Sequence, residues 1–190
     1  MDIPRDIRDG EEFSLEKLKK YLSENSISNE NLSLKQFPSG YSNLTYFLES
    51  SSKQFVLRRP PFGAKSLQGG HDMLREYNVL KNLKSQFSKV PDVFLYCEND
   101  DILGAPFYLM ERVEGYIIRP NLQQKDSPGS DIIQNVSKSL VSTLVELHNV
   151  NIEKANLKDL GNINGYVKRQ VEGWIKRYNH SKTDTIANMD

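Results

Sequence analysis

Apolar residues recur along this chain at two different periods, and the switches between them mark out its elements. Leu15, Leu18 and Leu22 follow Ser14, an N-cap candidate, at helical spacing and predict a short helix over residues 14–24. After a polar connector at 25–31 the pattern becomes that of strands. Leu32–Phe37, Leu44–Glu49 and Gln54–Arg59 are separated by Pro38-Ser39-Gly40 and by the hairpin-length Ser50-Ser51-Ser52-Lys53, and Pro60-Pro61 stops the third. A glycine-bearing loop at 62–70 returns the chain to helical period. Met73, Tyr77, Leu80 and Leu83 predict a helix from His71 to about Phe87, ended by Val90-Pro91. Val93–Cys97 reads as a fourth strand, Glu98–Asp101 as a turn, and Pro106–Val113 holds a fifth strand around Phe107–Met110, broken at Gly115.

Beyond a polar loop at 121–130 the strand pattern does not return. Ile133, Val136, Leu140, Leu144 and Leu147 form one helical stripe, and Val167, Val171, Trp174, Ile175 and Tyr178 form another. Two amphipathic helices cover each other only in part, so this region reads as the opening of a larger helical lobe. The expected class is α+β: a mixed lobe over residues 1–113 and an incomplete helical lobe over 114–190.

Composition narrows the function classes without naming one. Lys and Arg number 25 and Asp and Glu also 25, so the formal net charge is zero. That argues against a dedicated nucleic-acid binder or an electrostatic membrane anchor. No stretch approaches the ~18 apolar residues of a membrane span, and Met1–Asp6 lacks an apolar signal-peptide core. The single cysteine, Cys97, cannot form an internal disulfide and reads as a small core residue on a strand. The expectation is a soluble, cytoplasmic protein.

Several site chemistries lack their residues. There is no Walker A motif, no G-x-G-x-x-G and no G-x-S-x-G elbow, and His71, His148 and His180 lie too far apart for metal-ligand spacing. What remains is an ordered constellation. Arg58 stands near the end of the third strand, and Glu76 lies beside the apolar stripe of the following helix. A carboxylate beside a buried stripe calls for a cation, and a strand cation paired with a helix glutamate is how kinase folds hold nucleotide phosphates. Met110, Glu111 and Val113 fall where such a fold leaves its sheet for an inter-lobe segment facing the adenine. Each piece also has a plain reading: Arg58 as a solvated charge, Glu76 as a surface residue, and Pro38–Asn43 as a simple turn. Their common order favours the joint one.

The stretches FPSGYSNLTYFLES (37–50), FVLRRPPFG (55–63), HDMLREYNVLKNL (71–83), VPDVFLYCENDDILGAPFYLMERVEGYIIR (90–119), LVELHNVNI (144–152) and GYVKRQVEGWIKRY (165–178) resemble the aminoglycoside phosphotransferase-like kinase family. The nearest branch is that of the kinase-like domains fused to certain acyl-CoA dehydrogenases. The resemblance covers most of residues 35–180. It implies a protein-kinase-like fold and an ATP-dependent transfer to a small-molecule hydroxyl, with Mg²⁺ bridging phosphates. It also implies fusion to, or partnership with, an acyl-CoA dehydrogenase. By position, Ser42 and Asn43 fall in the loop over the phosphates, and Arg58 stands where many kinases use Lys. Glu76 takes the helix-partner role, Glu111 and Val113 fall at the hinge mainly through backbone atoms, and Met110, just before it, borders the adenine pocket. His148 reads as structural, and Arg169, Gln170 and Trp174 as packing or acceptor-edge residues.

One departure outweighs the matches. The family's H-G-D-x-x-x-x-N loop and later Asp motif do not occur in these 190 residues. Catalytic residues and metal ligands are therefore expected beyond Asp190, and the 190 residues alone are expected to be inactive. The alternative is a non-catalytic module that binds a nucleotide or a partner.

Overall fold

The computed structural model describes residues 3–28, 31–38, 42–63, 71–118, 129–162 and 164–184. These fall into two units, one reaching to Leu157 and one starting at Lys158. The first is built on an antiparallel five-stranded sheet: β1 (Ser33–Gln36), β2 (Leu44–Glu49), β3 (Gln54–Arg59), β4 (Val93–Cys97) and β5 (Phe107–Glu111), in the order β1-β2-β3-β5-β4. The α+β class is as the sequence predicts, and β2, β3 and β4 keep their expected limits. The end of β1 pairs further out than expected: Arg5 bridges Gln36 through two backbone hydrogen bonds of 2.8 Å.

Alternation along the strands sorts side chains onto two faces. One carries Tyr46, Leu48, Phe55, Leu57, Phe107 and Leu109, all buried, together with Cys97. Helix α1 (Leu15–Glu24) closes this face. Ser14 Oγ accepts from Lys17 N at its start, and Leu18 and Leu22 sit fully buried in the same core. Each buried leucine is worth about 1.5–3 kcal/mol of transfer free energy.

Helix α2 (Met73–Leu83) crosses between β3 and β4, with Asp72 Oδ1 capping it at the Arg75 amide, 2.9 Å. It ends four residues before the expected Phe87. The amides of Gln86 and Phe87 both donate to the Leu83 carbonyl, and this turn, rather than a further helical turn, buries Phe87. The expected turn at 98–101 is the start of a short helix, α3 (Asp100–Leu103). Asn99 caps it at the Asp101 amide, and Gly104 closes it at φ 77°, a left-handed conformation glycine takes without strain.

Helix α4 (Ser130–His148) also belongs to the first unit, yet none of its residues is buried. Lys89 Nζ ties it to the segment before β4 through Glu146 Oε2 at 2.7 Å and Thr143 Oγ1 at 3.2 Å. The second unit holds a short 3-10 turn at Lys158–Leu160 and helix α5 (Tyr166–Ser181), again with no buried residue. Most of the loops expected at 62–70 and 121–130 lie outside the described residues. No helix among those described is long and apolar enough to cross a membrane.

Candidate functional site

The sheet face opposite α1 carries the functional candidates. In register across it, Thr45 pairs with Arg58, Arg58 with Tyr108, and Tyr108 with Tyr96; one step along, Phe47 pairs with Val56 and Val56 with Met110. Helix α2 lies over one end of this face, where Tyr77 packs against Tyr96 and Tyr108 at ring-centroid distances of 5.7 and 6.4 Å.

Glu76, on the same stretch of α2, reaches the sheet and gathers three partners. Arg58 Nε lies 3.2 Å from Glu76 Oε2, Tyr108 donates its hydroxyl to Oε2 at 3.0 Å, and Asn43 Nδ2 donates to Oε1 at 2.8 Å. The structure thus joins two residues that lie 18 positions apart in the sequence and read individually as surface charges. Their side chains keep 31% and 34% exposure, so the pair borders solvent rather than standing in a dry core. Arg58 Nε is nevertheless occluded, and its angle to the carboxylate is too poor for a hydrogen bond. Burial, reinforced by the Glu76 charge and against the opposing pull of Arg58, pushes the Tyr108 phenol well above its ordinary pKa. It therefore stays a neutral donor throughout the physiological range.

Asn43 itself is 7% exposed, and its other amide atom, Oδ1, lies 2.7 Å from His71 Nδ1. A carboxylate only accepts, so the amide nitrogen must face Glu76 and the amide oxygen must face His71. His71 Nδ1 therefore carries the hydrogen. Asn43 does not project from the loop; its side chain is engaged inside the seam between β2 and α2. Ser42, its neighbour, is exposed.

Two clefts open beside these groups. One of about 530 Å³ is lined by Arg58, Asp72, Glu76, Leu80, Tyr108 and Met110 among others. Another, of about 350 Å³, lies between Phe37, Thr45, Val56 and Arg58 on one side and Arg112–Ile117 on the other. Arg58 lines both. Met110 is half-buried on the sheet, while Val113, past the end of β5, is 68% exposed. Glu111 is tied to Asp92 twice: its amide donates to the Asp92 carbonyl at 2.8 Å, and its carboxylate accepts from the Asp92 amide at 3.0 Å.

His148 is exposed at the end of α4. On α5, Trp174 is 65% exposed with the Arg177 guanidinium 4.2 Å above its ring, and Arg169 donates to the carbonyls of Asn162 and Asn164. Among the described residues no group of three or more His, Cys, Asp or Glu side chains could hold a metal ion.

Sequence reasoning missed three groups. Tyr108 lies two residues before Met110 on one strand, so strand alternation alone puts both on one face. His71, just before the cap of α2, carried no pattern. Arg59, next to Arg58, points to the α1 side instead, is 1% exposed and stacks 3.7 Å over Phe62. Its Nη1 donates to the Leu103 carbonyl at 2.8 Å, satisfying a helix-end acceptor of α3. Burial lowers its pKa.

The model of the phosphotransferase enzyme family matches residues 33–190. Acyl-CoA dehydrogenase family member 11 of Rattus norvegicus is 37% identical over an alignment that spans all of this chain and 25% of that protein. The probable acyl-CoA dehydrogenase IBR3 of Arabidopsis thaliana is 36% identical over 75% of this chain and 18% of its own length. A crystal structure from Ralstonia eutropha, of a protein provisionally assigned as an aminoglycoside phosphotransferase, superposes with a TM-score of 0.70 at 27% identity. That superposition covers 92% of this chain and 50% of the other. The chain thus spans a quarter or less of these two dehydrogenase-named relatives and half of the solved neighbour.

Proposed function

The chain belongs to the phosphotransferase enzyme family, and from that premise we propose that it supplies the nucleotide-binding part of an ATP-dependent phosphotransferase acting on a small-molecule hydroxyl. The observation that carries this reading is the Arg58–Glu76 contact beneath two clefts that share Arg58. A guanidinium offers a planar fork of donors suited to two phosphate oxygens. The approach of Glu76 is through Nε, and the fork is assigned to the terminal nitrogens of Arg58.

In this reading the residues up to Val113 bind the nucleotide, and those from Glu114 onward begin the lobe that receives the acceptor. Val56 and Met110 form the apolar border of the base. With the Glu111 amide already engaged by Asp92, the base-facing N–H is assigned to Val113. Ser42 is the exposed donor beside the phosphates. Asn43 belongs to the site as a holder of Glu76. ATP, when bound, supplies the phosphoryl group. No Mg²⁺ ligand is assigned among the described residues, and catalytic residues are expected outside these 190. The names of the relatives support a place in, or beside, an acyl-CoA dehydrogenase polypeptide.

The test is titration of ATP with Mg²⁺ into the chain by calorimetry, beside Arg58→Ala. Losing a charge-assisted fork is expected to weaken affinity at least about 10-fold. Equal affinity in the variant, or no heat of binding in the wild type, would sink the proposal.

A further inference from the structure

We propose that His71 acts through Asn43 as a positioning residue of this site, setting which oxygen of Glu76 is left for Arg58. The inference rests on the nucleotide reading above, but its geometry stands on separate contacts.

Glu76 has two oxygens and three partners. Oε1 receives the Asn43 amide at 2.8 Å, and Oε2 receives Tyr108 at 3.0 Å and approaches Arg58 at 3.2 Å. An asparagine amide turned by 180° would aim its oxygen at the carboxylate, a repulsive contact. The Glu76 carboxylate selects the orientation with Nδ2 toward it, and His71 reinforces it: with its hydrogen on Nδ1 it donates to Asn43 Oδ1 at 2.7 Å. The carboxylate is thereby pinned at one oxygen, and its other oxygen is held on the Arg58–Tyr108 side. This chain of contacts links the residue preceding the cap of α2, the residue before β2, the first turn of α2, and β3 with β5. Asn43 at 7% exposure keeps it out of competing water. An ion pair that is one-third exposed is weak in itself. Fixing one of its members by neutral hydrogen bonds raises the fraction of time that Arg58 stands correctly for a ligand, at no cost in extra charge.

The proposal separates shape from mere bulk at position 71. His71→Ala removes the donor. His71→Asn returns an N–H at the place of Nδ1, because the asparagine amide nitrogen matches that ring position. Asn43→Asp keeps the size of Asn43 but sets a carboxylate against Glu76.

The closing experiment has two readings on the same protein. First, ¹H–¹⁵N spectroscopy of the imidazole is expected to show His71 protonated at Nδ1, with that signal displaced in Asn43→Ala. Second, calorimetric titration of ATP with Mg²⁺ is expected to show affinity about 5- to 10-fold weaker in His71→Ala, within about twofold of wild type in His71→Asn, and weakest in Asn43→Asp. Arg58→Ala is run beside them. If Arg58→Ala weakens binding while His71→Ala does not, the positioning role is overturned and the nucleotide reading stands. A neutral His71 protonated only at Nε2, or a His71→Asn variant as weak as His71→Ala, also overturns it. If Arg58→Ala binds like wild type, the nucleotide reading falls and takes the positioning role with it.

Discussion

Helices α1 and α4 are both amphipathic, and their leucines recur at the same spacing of four, yet they meet opposite fates. Leu18 and Leu22 of α1 are fully buried, while Leu140 and Leu144 of α4 are 68% and 47% exposed. The difference lies in what each stripe faces. Helix α1 lies on the inner face of a sheet whose five strands all fall within the described residues, and Tyr46, Leu57 and Leu109 meet it there. Helix α4 touches the rest of its unit through polar groups, Lys89 with Glu146 and Thr143. Periodicity reports that a helix has an apolar face; burial needs a second surface, and period alone does not say whether one is present. A stripe of this size left open is the kind of surface other protein is built to cover. The chain spans half of the solved neighbour and a quarter of the rat relative, lengths that leave much sequence in those proteins outside the match.

The largest expected effect follows from this contrast. Leu18→Ala should cost about 2–5 kcal/mol in urea unfolding, because it leaves a cavity that the sheet cannot fill. Leu140→Ala should stay within about 0.5 kcal/mol of wild type. Comparable losses at both positions would break the comparison and mean that α4 is packed in solution.

The sheet face under α1 also carries a pH signature. Tyr46 is fully buried, with its hydroxyl donating to the Glu11 carbonyl at 2.7 Å. Burial, partly offset by the Arg59 charge, pushes its pKa up from 10.0 to about 12. The sign follows from proton linkage. The folded state holds the proton more tightly than the unfolded chain, so this contribution is fully present below pH 10 and is lost as pH rises toward about 12. The loss is about 3 kcal/mol at most. Between those values alkaline unfolding should decline more steeply in wild type than in Tyr46→Phe, which keeps the raised phenols of Tyr21 and Tyr108. Parallel curves would mean that the phenol is not sealed by α1.

Much of this arrangement was legible because the residues involved obey a period. Strand pattern located β2, β3 and β4, and a carboxylate beside the apolar stripe of α2 pointed to Arg58 as its cation; the two lie 3.2 Å apart. Tyr108 was within reach of the same rule. What was not legible depends on contacts with no period. His71 and Asn43 meet across 28 positions through one hydrogen bond. The bridge of Arg5 to Gln36 is a single pair that adds a residue outside the strands to the end of β1. Arg59 is buried beside Arg58 because a short helix, α3, presents it with a carbonyl, and that helix reads in sequence as a polar turn. Phe87 kept the helical spacing of α2 while its backbone left the helix, so spacing overran the true end.

The smallest effect tests how α4 is held. The Lys89–Glu146 pair is close, 2.7 Å, but its side chains are 46% and 53% exposed. Water screens both charges, and ordering two long side chains offsets the attraction. A double-mutant cycle of Lys89→Ala and Glu146→Ala should therefore give a coupling of about 0.2–1 kcal/mol, and it should shrink as salt rises. Cooperative unfolding that stays unchanged in the double variant would mean that α4 makes little contribution to the stability of the sheet. A coupling well above that range, insensitive to salt, would mean that the pair is shielded from water, and the apolar stripe of α4 with it. The contrast between the two helices would then reflect a state of the chain in which α4 is covered, rather than a difference in how they are built.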